Sequence, residues 1–284
     1  MKSLVINGSE IAYVDRGTGL PLVLVHGFPL DHTMWTGQID ALAGPTADSP
    51  AGQTILSAPP VRIIAPDLRG FGHSLFSPHG DEKVTMDQFA DDLAALLDAL
   101  AIREPVVVCG LSMGGYIAFQ FWRKYTARLR GLILCDTRAV ADTPEGAEGR
   151  RRMAERVLRE GPAPLVETML PNLLAETTRR QRPELVERLR SVIMAGDPRG
   201  IAAAARGMAE RPDMTAALGQ IGCPTLVIVG QSDVISTPAE MRGIAAAIPA
   251  ADFAEIPEAG HLSPWENSAA VNATIVDFLA RHNQ

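Results

Sequence analysis

Short apolar runs alternate along the chain with longer segments in which apolar residues recur at helical spacing. Most of these runs are continuous and rich in β-branched residues, which is typical of strands that are covered on both faces. They comprise residues 21–27, 61–67, 105–110, 130–136 and 224–230. A hairpin with Asn7 and Gly8 at its turn precedes them, and residues 252–257 predict a weaker eighth strand.

The segments between the strands predict helices. The clearest one places Phe89, Leu93 and Leu97 on one face, with Thr85 and Gln88 at the spacing of a capping box. Further helices are predicted after the fifth strand, after the seventh strand and at the end of the chain. Strands and helices that alternate in this way predict a mostly parallel sheet with helices on both faces.

Two segments depart from this alternation. Residues 43–60 are rich in Pro, Gly, Ala and Ser and predict a surface insertion. Residues 137–218 contain no convincing strand, and we expect them to form a helical cap over the carboxyl edge of the sheet. The helices predicted in this segment cover residues 145–160, 163–170, 183–195 and 199–210. The predicted domains are therefore a core of residues 1–136 and 219–284, and a cap inserted between strands 6 and 7.

Composition narrows the classes of function. The chain has 284 residues, of which 46% are hydrophobic and 21% charged, and this balance is typical of a soluble globular protein. The formal net charge of −7 argues against nucleic acid as a partner, because phosphate binding requires a basic surface. No apolar run is long enough to span a membrane and the first residues do not form a secretory signal, so we expect a cytoplasmic protein. Three scattered cysteines, Cys109, Cys135 and Cys223, predict free thiols rather than a disulfide framework or a metal site.

Ser112 is the first candidate for chemistry. It lies between Gly110 and Gly114, directly after a predicted strand and at the start of a predicted helix. A serine on such a sharp turn presents its hydroxyl at the carboxyl edge of the sheet and can act as a nucleophile. The five-residue pattern alone is weak, and the alternative is an ordinary helix N-cap serine. The positive end of the following helix would favour an oxyanion at this position.

A serine nucleophile needs a general base, which is normally a histidine. We predict His261 in this role, because it lies in the loop between the last strand and the last helix, where such a sheet gathers its functional groups. His26 and His73 are also near strand ends, and we expect structural roles for both. The remaining histidines are expected at the surface: His32, His79 and His282.

The base in turn needs an orienting carboxylate. Asp233 follows the strand at residues 224–230 and is the preferred candidate, because it gives the chain order of serine, aspartate and histidine expected for this type of sheet. Asp136, one strand earlier, is its rival. Asp67 is a third carboxylate at a strand end, and we expect it to bond its own loop and Arg69.

Acyl transfer also needs hydrogen-bond donors for the developing oxyanion. The backbone N–H of Met113, directly after the serine, is one candidate. The second should come from the loop after the third strand, where Phe28 is the candidate and Gly27 lets the backbone turn into the site. Pro29 has no N–H and cannot donate, but it stiffens this loop.

Five sequence blocks resemble the α/β-hydrolase superfamily. They are VLVHGFP, APDLRGFGHS, CGLSMGG, VGQSDVISTP and AGHLSPWEN, and their order and spacing cover nearly the whole chain. The resemblance is to the branch of small esterases, enol-lactone hydrolases and cofactor-free haloperoxidases or perhydrolases. The departures are the insertion at residues 43–60 and a Ser-Thr-Pro sequence where the family often has a second proline.

The resemblance implies an α/β-hydrolase fold, with a mostly parallel eight-stranded sheet, helices on both faces and a helical cap. It implies Ser112 as nucleophile, Asp233 as acid and His261 as base, with the N–H groups of Phe28 and Met113 as the oxyanion hole. It implies no metal and no organic cofactor.

The expected function is a serine hydrolase that cleaves carboxylic esters or lactones through an acyl-enzyme. Small to medium acyl esters are the expected substrates, and hydrogen peroxide in place of water would give a perhydrolase side activity. One alternative is an enol-lactonase of aromatic catabolism. Another is a signalling or ligand-binding protein that keeps the fold but turns over slowly.

The predicted cap carries the information on substrate. Trp35, Leu170, Leu174 and Trp265 are candidates for the walls of a substrate pocket, although packing is the commoner role of such residues. The cap also contains many arginines, including Arg138, Arg150, Arg151, Arg152 and Arg156. Solvated ion pairs are their expected state, and the alternative is an arginine that binds a carboxylate on the substrate.

Overall fold

The predicted apolar runs form the strands of one sheet in the computed structural model, which describes residues 1–43, 60–76 and 82–282. The eight strands are β1 (Lys2–Ile6), β2 (Ser9–Gly17), β3 (Leu20–Val25), β4 (Val61–Pro66), β5 (Val106–Leu111), β6 (Leu129–Cys135), β7 (Thr225–Gly230) and β8 (Asp252–Ile256). Their spatial order is β1-β2-β4-β3-β5-β6-β7-β8. β2 runs antiparallel to β1 and β4, and all the other pairs are parallel. The predicted mostly parallel sheet is therefore confirmed.

Burial follows from the position of each strand in the sheet. Every residue of the inner strands β5 and β7 is buried, as their continuous apolar sequences predict. The edge strand β1 is mainly exposed. The hairpin of β1 and β2 turns at Asn7 and Gly8, whose positive φ angles of 47° and 79° are those that a two-residue hairpin turn requires.

Helices cover both faces of this sheet. They are α1 (Thr36–Leu42), α2 (Met86–Ala99), α3 (Met113–Tyr125), α4 (Pro144–Glu160), α5 (Ala163–Leu173), α6 (Glu176–Gln181), α7 (Pro183–Met194), α8 (Pro198–Ala209), α9 (Pro238–Ala247), α10 (Ser263–Glu266) and α11 (Ser268–Arg281). Short 3₁₀ helices lie at His32–Trp35, Thr126–Arg128 and Thr215–Gln220. The predicted capping box starts α2, where Thr85 and Gln88 each accept a hydrogen bond from the other's backbone N–H.

The helices α4 to α8 lie between β6 and β7, in a segment that we call the helical insertion (residues 137–218). Two glycines of α8 bring this helix against the backbone of the core. A Cβ on Gly200 would lie 2.1 Å from the carbonyl oxygen of Gly70, and one on Gly207 would lie 1.8 Å from that of Val84. The N–H of Val84 also donates to the carbonyl oxygen of Ala203 at 3.1 Å. The helical insertion is therefore packed directly on the core.

The predicted surface insertion and the three cysteines lie outside the features described so far. The predicted surface insertion lies outside the described residues apart from its two end residues, and so does His79.

Cys109 and Cys135 are distant in sequence but lie on neighbouring strands, with their Sγ atoms 3.8 Å apart. The hydrogen bond between these thiols, together with burial, holds the pKa of Cys135 well above its usual value. None of the described helices has both the length and the apolar character needed to cross a membrane.

Candidate active site

The turn from β5 into α3 carries Ser112 in an unusual backbone conformation. Its φ and ψ angles are 53° and −112°, which a serine adopts only when the surrounding structure enforces them. The N–H of Ser112 donates to the carbonyl oxygen of Cys135 at 3.0 Å, and the hydroxyl of Thr137 donates to the carbonyl oxygen of Ser112 at 2.7 Å. The end of β6 therefore fixes the predicted nucleophile from both sides.

Two glycines give this turn the space it needs. A Cβ on Gly110 would lie 2.1 Å from the carbonyl oxygen of Gly114, and a Cβ on Gly114 would lie 2.2 Å from that of Val25. Both distances are far below van der Waals contact. The glycines on either side of Ser112 thus allow α3 to start close to the ends of β3 and β5.

The three residues predicted to form a triad meet at the carboxyl edge of the sheet. The Nε2 atom of His261 lies 2.9 Å from the Oγ atom of Ser112, and its Nδ1 atom lies 2.9 Å from Oδ2 of Asp233. His261 and Asp233 are buried, with 2% and 3% of their surface exposed, whereas Ser112 is half-buried. A proton can therefore pass from the serine hydroxyl to an imidazole whose other nitrogen faces a carboxylate.

Asp233 lies among groups that favour its ionised form. Its Oδ1 atom accepts hydrogen bonds from the N–H groups of Ile235 and Ser236, and its Oδ2 atom accepts one from the hydroxyl of Ser236 at 2.6 Å. Burial opposes ionisation, but His261 and these hydrogen bonds outweigh it and lower the pKa of Asp233. The sequence did not point to Ser236 as a partner of Asp233. Its only distinguishing feature in the sequence was its place in the Ser-Thr-Pro departure from the family pattern.

Asp136, the rival carboxylate, has other partners. Its Oδ1 atom accepts from the N–H of Gly230 at 2.7 Å, and its Oδ2 atom accepts from the hydroxyl of Ser263. Complete burial and the nearby charge of Asp233 hold the pKa of Asp136 well above the usual value of an aspartate. The pKa values of the two carboxyl groups are thus shifted in opposite directions, and the one whose pKa is lowered is the one beside His261.

The predicted oxyanion donors are the backbone N–H groups of Phe28 and Met113. Among the described residues, neither the N–H of Phe28 nor that of Met113 has a backbone or side-chain acceptor. A Cβ on Gly27 would lie 3.5 Å from the Cβ of Ser112, so the backbone that leads into Phe28 passes next to the serine side chain. Two free donors beside a nucleophile are what a developing oxyanion requires.

His26 supports the neighbouring loop. Its Nε2 atom accepts a hydrogen bond from the N–H of Leu68 at 3.0 Å, and its Nδ1 atom lies 3.0 Å from the carbonyl oxygen of Gly27. These partners require a neutral ring with its proton on Nδ1, and burial lowers the pKa of His26 accordingly. The structural role expected for His26 agrees with these contacts.

Two expectations for the same region are wrong. His32 is half-buried rather than at the surface, and its Nδ1 atom lies 2.7 Å from Oδ1 of Asp67. Asp67 does not pair with Arg69, whose guanidinium binds both oxygens of Asp92. Asp67 instead accepts hydrogen bonds from the backbone N–H groups of His32 and His73, each at 2.8 Å. The bonds of His32 with Asp67 and of Arg69 with Asp92 join segments that are far apart in sequence. The bond from His73 lies within the loop of Asp67, so the expected contact of Asp67 with its own loop is confirmed.

Potential ligand atoms for a metal ion come together at Asp31, His32 and Asp67, all within 4.8 Å of one another. The oxygen atoms of Asp67 already accept hydrogen bonds from His32 and His73. The Oδ1 atom of Asp31 accepts from the N–H and the hydroxyl of Thr33. Each of these three residues thus has hydrogen-bond partners within the protein.

The predicted pocket residues differ in burial. Trp35, Leu174 and Trp265 are buried, and Leu170 is half-buried. The guanidinium of Arg188, on α7, lies 4.9 Å from the ring centre of Trp265 and donates to the carbonyl oxygen of Thr33. Trp265 thus contributes to the contact between the helical insertion and the core, while the pocket roles of these residues stay predictions.

The arginines that the sequence singled out in the helical insertion have carboxylate partners. Arg138 pairs with Glu240 and Arg150 with Asp142. The other arginines singled out in the sequence pair with Glu148 or Glu160, namely Arg151, Arg152 and Arg156. These contacts agree with the mixed ion pairs expected from the sequence.

Comparison of this chain with known protein families defines its class. The family model of the alpha/beta hydrolase fold matches residues 21–268. The chain therefore belongs to the α/β-hydrolase family.

Individual relatives narrow the chemistry. A thermophilic esterase from Thermogutta terrifontis, solved with malate bound, is 48% identical, with a TM-score of 0.90 over 100% of this chain and 99% of that one. The enol-lactonase from Burkholderia xenovorans is 29% identical, with a TM-score of 0.85 over 98% and 99% of the two chains. The 3-oxoadipate enol-lactonase 2 from Acinetobacter baylyi is 29% identical over 221 residues, which are 78% of this chain and 79% of that protein. The chain is a hydrolase that acts on esters or lactones, and its substrates are small molecules.

Proposed function

We propose that this protein is a serine hydrolase that cleaves carboxylic esters through an acyl-enzyme, with Ser112 as nucleophile, His261 as base and Asp233 as acid. The observation that carries the proposal is the unbroken series of contacts from Ser112 Oγ through the imidazole to Asp233, each 2.9 Å long. Such a series is the requirement for activating a hydroxyl group that is a poor nucleophile by itself.

Acylation begins when Ser112 Oγ attacks the carbonyl carbon of the ester and its proton moves to Nε2 of His261. The negative charge on the carbonyl oxygen is stabilised by the N–H groups of Phe28 and Met113. Each such donor lowers the barrier by about 3–4 kcal/mol. The tetrahedral intermediate then expels the alcohol, which takes the proton from His261, and the acyl group remains on Ser112.

Deacylation repeats these steps with water. His261 removes a proton from the water molecule, whose oxygen attacks the acyl carbonyl, and the same two N–H groups bind the second oxyanion. Collapse of this intermediate releases the carboxylic acid and returns the proton to Ser112. Hydrogen peroxide in place of water would release a peracid by the same route, which is the proposed perhydrolase side activity.

We propose small to medium, uncharged acyl esters as the substrates. The support is the pairing of the five arginines named above, Arg138, Arg150, Arg151, Arg152 and Arg156, with protein carboxylates. The 48% identity to an esterase over the full chain points in the same direction. Enol-lactonase activity is the second candidate, favoured by the 29% identity to two enol-lactonases.

We also propose that the helical insertion is a cap domain between two parts of a hydrolase core, residues 1–136 and 219–284. Its contacts with the core at Gly70 and Val84 support this division, because α8 lies against two loops of the core. In this position it would line the acyl or alcohol side of the substrate pocket, together with Trp35, Leu170, Leu174 and Trp265.

The test is the hydrolysis of p-nitrophenyl acetate and butyrate by the wild type and by Ser112→Ala. We expect turnover by the wild type and a loss of about a millionfold in kcat for the variant, because removing the nucleophile of such a triad removes most of the catalysis. Ser191→Ala, an exposed serine on α7, is the matched control and should keep full activity. A pure wild type with no burst and no turnover would instead favour the slow, ligand-binding alternative. Simple and carboxylated lactones assayed in parallel separate esterase from enol-lactonase activity.

A further inference from the structure

The short helix α10 ends in a buried carboxylate that the proposed reaction does not use. Glu266 has 6% of its surface exposed. Its Oε1 atom accepts a hydrogen bond from the N–H of Gly260, and its Oε2 atom accepts one from the N–H of Ala175, both at 2.8 Å. Gly260 directly precedes His261, whereas Ala175 belongs to the helical insertion. One carboxylate therefore joins the loop of the histidine to the helical insertion.

The peptide group on the other side of His261 is also held by the helical insertion. The N–H of Leu262 donates to the carbonyl oxygen of Leu173 at 3.2 Å. The backbone is thus fixed immediately before and immediately after His261, first through Glu266 and then by a direct bond to the last residue of α5.

Close packing accompanies these hydrogen bonds. A Cβ on Gly260 would lie only 2.5 Å from the backbone nitrogen of Ala175, so the two segments touch without an intervening side chain. Thr178, the buried residue of α6, lines one cavity together with Glu266. Arg182 donates to the carbonyl oxygen of Glu266 at 2.7 Å. The segment from Leu173 to Arg182 therefore contacts both the carboxylate and the backbone of α10.

Burying this carboxylate is unfavourable in itself. Burial raises the pKa of Glu266, although hydrogen bonds from Thr178 and from the N–H groups of Ala175 and Gly260 favour its ionised form. A polar cavity of about 280 Å³ borders the group and is lined by Thr177, Thr178, Gln181, Arg182, Glu258, Glu266 and Asn267. A carboxylate that is buried at this cost indicates a role other than packing.

We propose that Glu266 is a positioning residue, whose carboxylate ties the segment Leu173–Thr178 of the helical insertion to the loop of His261 and so holds the imidazole in line with Ser112. This inference rests on the proposed role of His261 as base. It makes the helical insertion part of the support for proton transfer, in addition to any contact it makes with substrate.

The physical reason lies in the 2.9 Å contact between His261 Nε2 and Ser112 Oγ. Ser112 is fixed by the sheet, at the junction of β5 and β6, whereas His261 lies in the loop after β8. On the core side, the N–H of Ser232 holds this loop by a bond to the carbonyl oxygen of Ala259, and the bonds on either side of His261 come from Glu266 and the helical insertion. A small movement of this loop lengthens the proton-transfer distance without altering the oxyanion donors. The step that uses the base then slows, while binding of the substrate is little affected.

The test compares Glu266→Gln with the wild type and with Glu258→Gln. A glutamine has one acceptor oxygen, so either Gly260 or Ala175 would face an NH₂ group. We expect kcat for p-nitrophenyl butyrate to fall roughly tenfold to a hundredfold, because displacements of about 1 Å have effects of this size. KM should change by less than about twofold. Glu258 is an exposed acid beside the same cavity, so Glu258→Gln makes the same charge change and should keep the wild-type kcat.

A spectroscopic signal distinguishes positioning from a general loss of stability. The proton between His261 Nδ1 and Asp233 should give a downfield NMR resonance, which should shift or broaden in Glu266→Gln at temperatures where the variant is fully folded. It should stay unchanged in Glu258→Gln. A kcat and a resonance equal to those of the wild type would overturn the proposal.

A milder variant covers the case in which Glu266→Gln does not fold. Thr178→Val keeps the shape of the side chain and removes only one donor to the carboxyl group. We expect a fall in kcat of about threefold with KM unchanged, since the carboxylate keeps its bonds to Gly260 and Ala175 but is less firmly held. An unchanged kcat in this variant would overturn the proposal as well. Full activity in Ser112→Ala would contradict the proposed function itself, whereas an enzyme that depends on Ser112 but not on Glu266 would contradict only this inference.

Discussion

Single side chains at this sheet edge show how local surroundings assign chemistry to similar groups. Asp136 and Asp233 both follow strands, and the sequence left them as rivals. The structure surrounds Asp233 with His261 and three hydrogen-bond donors that favour the charged form, and these lower its pKa despite burial. Asp136 is completely buried beside that charge, which raises its pKa. Carboxyl groups whose pKa values are pushed apart in this way can serve different roles.

This difference predicts opposite effects of the same substitution. Asp233→Asn should lower kcat roughly ten-thousandfold, because an amide cannot hold the imidazole in the tautomer needed by the base. Asp136→Asn should keep most of the activity, since an asparagine can accept from the N–H of Gly230 and donate to Ser263. Steady-state hydrolysis of p-nitrophenyl butyrate measures both effects. Loss of activity in Asp136→Asn with retention in Asp233→Asn would show that Asp136, and not Asp233, is the acid.

The stability of the wild type relative to each of these two variants should depend on pH, in opposite directions for the two. The raised pKa of Asp136 means that its contribution is complete below the ordinary value of 3.8 and is lost as the pH rises through the folded-state pKa. The wild type should therefore lose stability relative to Asp136→Asn as the pH rises. The lowered pKa of Asp233 gives a contribution that is present above 3.8 and is lost as the pH falls through the folded-state pKa. Urea unfolding across the pH range, with both variants, checks the two signs.

Which side chains the sequence could identify depended on how local their signal was. Ser112, with its flanking glycines, and His261 are recognisable from the strand before and the helix after them. The partners of Asp67 and Arg69 are not, because His32 and Asp92 reach them only after the chain has folded. Such long-range pairings leave no periodic trace in the sequence.

Helices and strands were predicted to the extent that their burial is periodic or continuous. The inner strands β5 and β7 are covered on both faces, so their sequences are apolar throughout. The helix α6 was not predicted, because Glu176–Gln181 is short and polar and only Thr178 is buried. The helical segments before and after it have apolar faces, which fixed their positions to within a few residues. The role of α6 in holding Glu266 depends on a tertiary contact that no local pattern announces.

The loop after β3 offers a test of the oxyanion hole. Gly27→Ala would place a Cβ 2.7 Å from Leu111 Cδ2 and 3.5 Å from Ser112 Cβ. The carbonyl oxygen of Leu111 would lie only 3.3 Å away and the Leu111 side chain is fully buried, so we expect the loop to shift by a few tenths of an ångström and to move the N–H of Phe28 away from the proposed oxyanion position. We expect kcat to fall about a hundredfold with a smaller change in KM, as for the loss of one such donor.

Gly243→Ala is the matched control for this variant. Gly243 lies in α9, and a Cβ there meets no atom within 4 Å. This substitution should leave kcat unchanged and should slightly stabilise the helix. Equal activity of the two alanine variants would mean that the N–H of Phe28 does not bind the oxyanion.

The molecule as a unit is held together where the helical insertion leaves and re-enters the core. Arg211, at the end of the insertion, is buried and lies 2.7 Å from Asp142 at its start. It also donates to the carbonyl oxygen of Val140, and its guanidinium lies 4.2 Å from the ring centre of Tyr116 on α3. One side chain thus joins both ends of the insertion to the helix that follows the predicted nucleophile. Together with the contacts of α8 at Gly70 and Val84, it favours a core and an insertion that unfold in one transition.

Arg211→Met tests this cooperativity, because it keeps the apolar length of the side chain and removes its charge. Asp142 would keep Arg150 as a partner, so we expect a loss of roughly 2–4 kcal/mol in the free energy of unfolding, near the lower end of the range for a broken buried ion pair. The melting temperature should fall by several degrees, with secondary-structure loss and activity loss still coinciding in a single transition. Arg151→Met, which removes an exposed pair with Glu148, should change the stability by less than about 0.5 kcal/mol. If Arg211→Met instead loses activity well below the temperature at which the sheet melts, the insertion unfolds separately, and its link to α3 does not make the two parts one cooperative unit.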